Sequence, residues 1–295
     1  MEAVVPRHDR AGPDGPEALL LRLADGADAQ MGAENFPVAL RVLPRRPRVA
    51  LSAVYRYARF VDDVGDRADC APSERLALLD VVDREVRALP DGNSRLHSVA
   101  GLAPVVREHG IANDLLLDLV EANRLDQRKS SYATFDELLD YCRLSAAPVG
   151  RIVLHVAGAV TEANVADSDT VCAALQVLEH CQDVGEDARA GRVYLPDEEL
   201  RAASVAAGDL TAATTNAALR GVIAVQVARA EDMLRRGSAL VKRLHGWSRV
   251  AVAGYVAGGL ATASALRGAG YEVLAAPVRP SRARTALHAM RVWAP

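Results

Sequence analysis

Two acidic motifs stand in stretches that otherwise read as apolar helix: Val61-Asp62-Asp63-Val64-Gly65-Asp66 and Gln182-Asp183-Val184-Gly185-Glu186-Asp187. Carboxylates on apolar helices are costly unless a cation gathers them. Oxygen-only donors suit a hard divalent ion, and Mg²⁺ held by a few carboxylates completes its shell with phosphate oxygens and water. The chemistry indicated is metal-assisted handling of a diphosphate.

Within the first motif, Asp62 and Asp66 stand four apart and share a helical face, with Asp63 three before Asp66. Arg59 and Tyr55 continue that stripe backwards, supplying a cation and a phenol for a phosphate that bridges metal and protein. These acids fall at a helix C-terminus, where the macrodipole opposes them. In the second motif, Asp183 and Asp187 share a face and Glu179 extends the row. Each like-charged i,i+4 pair costs roughly 0.2–0.5 kcal/mol even when exposed. Bringing the two motifs within about 6 Å would cost several times more at an effective dielectric near 20. Divalent cations reverse that sign. The candidate metal ligands are Asp62, Asp63, Asp66, Glu179, Asp183, Glu186 and Asp187. Gly191-Arg192-Val193-Tyr194-Leu195-Pro196 follows and adds a further cation and phenol.

Other residues carry less. Arg45, Arg46 and Arg48 read as a solvent-facing basic patch, and His155 and His180 as core or supporting groups on apolar helices. No GxGxxG, GxxxxGK[ST] or GxSxG motif occurs, so nucleotide binding and hydrolase-type nucleophilic catalysis lack sequence support. The net charge of −3 gives no nucleic-acid footprint. Cys70, Cys142, Cys172 and Cys181 show no metal spacing and are expected to be reduced thiols.

The elements that must position these groups are helices. Half of the 295 residues are apolar but only 4% are aromatic, and the apolar content is mostly Ala, Val and Leu. Strand signals are nearly absent. Residues 1–16 read as a disordered tail and 17–295 as a single all-α domain. Helices are expected over 48–66, from Pro72 with Ser73 as N-cap to Pro90, and onward from an Asn113 cap. A capping box at Thr134 to Glu137 opens a long apolar helix towards Val160, kinked at Pro148. Further helices cover 167–187, 211–244 and 247–267. The uncharged stretch Val250 to Leu266 is short and weakly apolar for a membrane span, which favours a buried core helix.

The chain resembles the squalene/phytoene synthase family, the head-to-head trans-isoprenyl diphosphate synthases, over roughly Gly32 to Arg284. Four segments in order carry the resemblance: Glu34-Asn35-Phe36-Pro37-Val38-Ala39, Tyr55-x-x-x-Arg59-x-x-Asp62-Asp63-x-x-Asp66, Tyr141 to Gly150, and Gln182-Asp183-x-x-Glu186-Asp187-x-x-x-Gly191-Arg192-x-Tyr194-Leu195-Pro196. The first segment, together with Ser145 to Arg151, is most similar to the bacterial hydroxysqualene-synthase branch of hopanoid biosynthesis. The resemblance implies an isoprenoid-synthase bundle around a central apolar cavity. It further implies Mg²⁺ on Asp62, Asp66, Asp183 and Asp187, and diphosphate on Arg59, Arg192 and Tyr194, with Tyr55 and Gln182 beside them. Asn35 and Phe36 would close the mouth near the phosphate.

Three positions depart from the family pattern. Glu179 stands where Asn is common, Gln182 where Arg is frequent in relatives making carotenoid or squalene backbones. The stretch around Ala275-Ala276-Pro277 lacks a basic residue often found there, leaving Arg279, Arg282 or Arg284 as substitutes. The expected reaction is Mg²⁺-dependent conversion of presqualene diphosphate to hydroxysqualene, by ionisation and capture of the cation by water. The alternatives are head-to-head condensation of two farnesyl or geranylgeranyl diphosphates, or a non-catalytic isoprenoid-binding paralogue. The expected partner is an isoprenoid diphosphate rather than nucleic acid. The expected location is cytoplasmic, with peripheral contact to a membrane or to pathway enzymes left open.

Overall fold

The computed structural model describes residue 20 and residues 43–293. The tail 1–16 and the segment bearing Asn35 and Phe36 lie outside the described residues. Among the described residues there is no strand. The first half contains α1 (Arg45–Gly65), α2 (Pro72–Arg87), α3 (His97–Ala100), α4 (Ala103–His109), α5 (Asn113–Asp126), α6 (Phe135–Ser145) and α7 (Ala147–Val156). Then come α8 (Glu162–Gln182), α9 (Val184–Arg189), α10 (Asp197–Ala202), a 3₁₀ turn (Ala207–Thr211), α11 (Ala217–Gly237), α12 (Ala239–Arg243), α13 (Gly246–Gly268) and α14 (Arg282–Trp293).

The apolar stripes of these helices close on two cores. One gathers α1 to α5 with part of α7 around Tyr57, Phe60, Leu79 and Leu116. The other gathers α6 and α8 to α13 around Leu138, Leu178, Leu219 and Leu234. Helix α8 packs along both α11 and α7, and α1 packs on α2 and α5, so the two acid-bearing helices stand in opposite halves of the bundle. More than half of the apolar window of α13 is buried, as expected of a core helix.

Local chemistry moves several expected boundaries. Helix α2 starts two residues earlier than a Ser73 cap would place it: Ala71 is the N-cap and Pro72 opens the helix, where its missing N–H costs nothing. The Ala71 amide instead donates to Glu74 Oε2 at 2.7 Å. At α5 the cap is Ala112, and Asn113 donates to the Val86 carbonyl at 3.3 Å. Thr134 does cap α6, accepting from the Glu137 amide at 3.2 Å. The long helix expected through Pro148 is two helices: they meet at Ala146, whose φ of −114° is stretched from the helical value, and Pro148 lies in the first turn of α7, where its missing N–H is tolerated. Helix α8 begins at a Thr161 cap and breaks at Asp183, so the expected 167–187 helix is two pieces. The 211–244 region is likewise divided, with Asn216 capping α11.

Candidate active site

The last turn of α1 carries Asp62 and Asp63, and Asp66 caps it with its amide on the Asp62 carbonyl at 2.8 Å. Packing on α5 fixes this end. A Cβ on Gly65 would fall 2.0 Å from the Asn123 side-chain oxygen, so glycine is what lets Asn123 approach. Asn123 Nδ2 donates to Asp62 Oδ1 and to the Leu119 carbonyl, both at 3.1 Å. Gln127 Nε2 donates to the Gly65 and Asn123 carbonyls, both at 3.0 Å. Asp62 keeps contact with solvent, yet protein crowds it enough that desolvation, aided by Asp66, pushes its pKa up to about 7. Both properties belong to a carboxylate on the wall of a cleft. Asp63 is drawn aside into an ion pair with Arg59 at 3.1 Å, and Tyr55 lies half-buried one turn earlier.

The second motif straddles the joint between α8 and α9. Asp183 ends one helix and precedes the next, and the Asp187 amide still reaches the Asp183 carbonyl at 2.8 Å. The two carboxylates therefore stay one turn apart despite the break. Gly185 plays the part of Gly65: a Cβ there would meet Leu274 Cδ2 at 2.8 Å. Gln182 Nε2 donates to the Val278 carbonyl at 2.5 Å, which ties the segment after α13 to this motif. Burial, then repulsion from Glu179 and Asp187, raises the Asp183 pKa to about 6. Glu179 is also raised, by desolvation first, and Glu186 is exposed.

Arg192 joins the halves. Its amide donates to the Asp187 carbonyl at 2.9 Å, and its Nη1 pairs with Asp66 Oδ1 at 2.8 Å. The Val193 amide, donating to the Ser130 carbonyl at 2.7 Å, pins this loop to the α5–α6 connection. Among the described residues, no three His, Cys, Asp or Glu side chains converge tightly enough to make a ready metal site.

Sequence reasoning missed the groups from α5 and α6 that support this arrangement. Asp126 is a carboxylate that accepts from Tyr141 and Tyr194 hydroxyls, each at 2.9 Å, with burial raising its pKa. Tyr194 also stacks on His180, centroids 3.8 Å apart and planes 11° apart, and His180 Nδ1 lies 3.7 Å from Asp187 Oδ2. Asp126 follows Asn123 by three residues and precedes Gln127 directly, so all three project from one end of α5. That spacing was the available signal. His155 turns out to be structural, its Nδ1 3.2 Å from the His109 carbonyl.

Beside the second motif lies a cavity of about 300 Å³, walled by Val149, Val153, Leu154, Val171, Leu175, Leu240 and Val252. Glu179 is its only charged lining residue among those described. An apolar chamber with one carboxylate in its wall, four residues before Asp183, suits the hydrocarbon part of a molecule whose anionic head lies at the acid motifs. The donor set fits Mg²⁺. Its members are hard oxygens from two helix ends, and burial raises the pKa of Asp62, Glu179 and Asp183. This metal needs only one or two carboxylates from each side when phosphate and water complete the shell.

These features define an isoprenoid-synthase bundle with an acid-rich mouth. A sequence model described as squalene/phytoene synthase matches residues 29–288. Hydroxysqualene synthase of Sinorhizobium fredii is 38% identical over 219 residues, covering 74% of this chain and 74% of that protein. Hydroxysqualene synthase of Zymomonas mobilis is 35% identical over 217 residues, 72% of this chain and 71% of that one. The crystal structure of squalene synthase HpnC from Alicyclobacillus acidocaldarius superimposes with a TM-score of 0.76 at 32% identity, covering 86% of this chain and 96% of that chain. The chain belongs to the squalene/phytoene synthase family. It is an isoprenyl diphosphate-dependent synthase.

Proposed function

We propose that this enzyme converts presqualene diphosphate to hydroxysqualene. The observation that carries the reading is the Arg192 bridge, which brings the ends of the two acid motifs together beside an apolar cavity. The similarity to hydroxysqualene synthases selects this branch from the family's diphosphate chemistry.

Asp62, Asp66, Asp183 and Asp187 would hold Mg²⁺, which supplies Lewis-acid neutralisation of the diphosphate when bound. Glu179, Asp63 and Glu186 extend the acidic rim. Arg192, freed from Asp66 as cation and substrate enter, takes a diphosphate oxygen, and Arg59 and Tyr55 do so from α1. Asp126 orients the Tyr194 hydroxyl and keeps it protonated, as burial beside a carboxylate raises the pKa of that phenol further. Asn35 and Phe36 complete the mouth in this reading. The C–O bond to diphosphate breaks heterolytically, and the apolar wall excludes bulk water from the resulting cation. One admitted water adds its oxygen to the cation, and its proton leaves to the released diphosphate. No redox partner is consumed.

The test is to incubate the purified enzyme with Mg²⁺ and either presqualene diphosphate or farnesyl diphosphate and identify the lipids by mass spectrometry. The expected result is a C30 tertiary alcohol from presqualene diphosphate. Consumption of farnesyl diphosphate alone, yielding presqualene diphosphate or a hydrocarbon, overturns the assignment in favour of head-to-head condensation.

A further inference from the structure

Polar side chains interrupt the wall of the apolar cavity in two places, and the two differ in how their hydrogen-bonding groups are occupied. The first lies earlier on α8, away from the acid motif. There Ser168 and the Gly150 backbone both hydrogen-bond the Cys172 sulfur, and Tyr255 of α13 lies close by. The second lies at the end nearest the acid motif, where Ser145 of α6 joins Gln176 and Glu179 of α8.

Two contacts place Ser145 opposite Gln176. Tyr141 faces His180, ring centroids 6.2 Å apart, and Gly150 presses on Cys172, where an added Cβ would come within 2.5 Å of the sulfur. The segments therefore run antiparallel, and four residues on from Tyr141 and back from His180 stand Ser145 and Gln176. The Ser145 hydroxyl oxygen is sheltered from bulk solvent and makes no hydrogen bond. Gln176 has one group committed: its Nε2 lies 3.4 Å from His180 Nε2, while His180 Nδ1 stands 3.7 Å from Asp187 Oδ2. That carboxylate keeps the ring hydrogen on Nδ1, so Nε2 accepts from the Gln176 amide and the Gln176 carbonyl oxygen is left to accept. A hydrocarbon chain filling the cavity offers nothing to either oxygen. Water does, and polar partners of this kind are what admit a water to an otherwise apolar site.

We propose that Ser145 and Gln176 hold the water that captures the carbocation, a role that rests on the hydroxysqualene reading. With no bond to keep it elsewhere, the Ser145 hydroxyl turns about χ1 into the chamber. Each acceptor takes one O–H of the water, which leaves the oxygen lone pair directed at the cation. As the new C–O bond forms, the oxygen becomes positive and sheds a proton that passes to the released diphosphate. Without the held water, the same cation loses a proton from a neighbouring carbon to that diphosphate and ends as a C30 hydrocarbon with a new double bond. The pair thus selects the product that follows ionisation.

The experiment incubates wild type, Ser145→Ala, Ser145→Thr and Gln176→Met with Mg²⁺ and presqualene diphosphate. C30 alcohol and C30 hydrocarbon are each measured per diphosphate released, so a change in rate alone does not register. In Ser145→Ala the alcohol share should fall about tenfold or more, with hydrocarbon taking its place. Ser145→Thr, which restores the hydroxyl, should recover it. A serine that merely packs would alter thermal stability and rate and leave the product ratio alone. Should Ser145→Ala not fold, Gln176→Met, on another helix, must lower the alcohol share instead. An unchanged share in either folded variant overturns the inference and leaves the hydroxysqualene reading intact. A wild-type enzyme that forms no alcohol from presqualene diphosphate overturns that reading, and the role of Ser145 and Gln176 falls with it.

Discussion

Replacing Asp62 by Asn separates the electrostatic cost of the metal site from its use. In the folded protein without metal, the Asp62 pKa stands near 7, against an ordinary value of 3.8. Between those two pH values the folded state holds a proton that the unfolded chain has already lost. Stability therefore falls as pH rises from about 4 to 7, the opposite of a salt-bridged aspartate. The full difference corresponds to at most about 4 kcal/mol. Asp62 keeps contact with solvent, which screens the penalty and leaves about 1 kcal/mol as the realistic size. The Asn variant keeps an acceptor for Asn123, so its metal-free form should match wild type near pH 4 and exceed it by about 2 °C in Tm near pH 8. Adding Mg²⁺ with inorganic diphosphate should reverse the order, raising wild type while leaving the variant behind. Turnover in the variant should drop by about a hundredfold or more. Differential scanning calorimetry across pH, with and without Mg²⁺, reads all of this. A variant less stable than wild type at pH 8 without metal, or one still stabilised by Mg²⁺ as much as wild type, refutes the reasoning.

Other perturbations test separate parts. Arg192→Ala removes a pair whose Asp66 partner is half-exposed, so thermal stability should change little while KM for the diphosphate rises about tenfold or more. Asp126→Ala strands two phenols and should lower stability by about 2–3 kcal/mol in denaturant titrations, with a fall in kcat that Tyr194→Phe partly reproduces. Gly65→Leu cannot coexist with Asn123 in place, so it should separate α1 from α5 and abolish turnover, whereas Gly208→Ala, which meets nothing within 4 Å, should be silent in both assays.

Much of this site was legible because its chemistry is local. The i,i+4 spacing of Asp62 with Asp66, and of Asp183 with Asp187, needs only a helical turn, and the turn survives even where α8 breaks at Asp183. The helical class followed from composition and periodicity in the same way. What could not be read was set by contacts distant in sequence. Asp126 looks like any acid on an amphipathic helix until Tyr141 and Tyr194 fold over it. Glycines inside the two acid motifs look like interruptions until Asn123 and Leu274 are seen filling their places. Cap positions failed for a smaller reason: Pro72 and Ala112 start helices through backbone geometry that the neighbouring Ser73 and Asn113 obscure. The Gln182 link to Val278 spans 96 positions and has no signature in either segment.

That long-range link bears on how the enzyme is made. Translation delivers both aspartate motifs well before Glu272 to Val278 emerge, and it is these later residues that seat Leu274 against Gly185 and occupy Gln182. A chain halted after α11 would own both aspartate motifs yet leave the second cluster unbuttressed on that side. The second cluster is thus completed only when the C-terminal segment folds back onto it, and truncation ahead of Glu272 leaves its acids present but unsupported at Gly185 and Gln182.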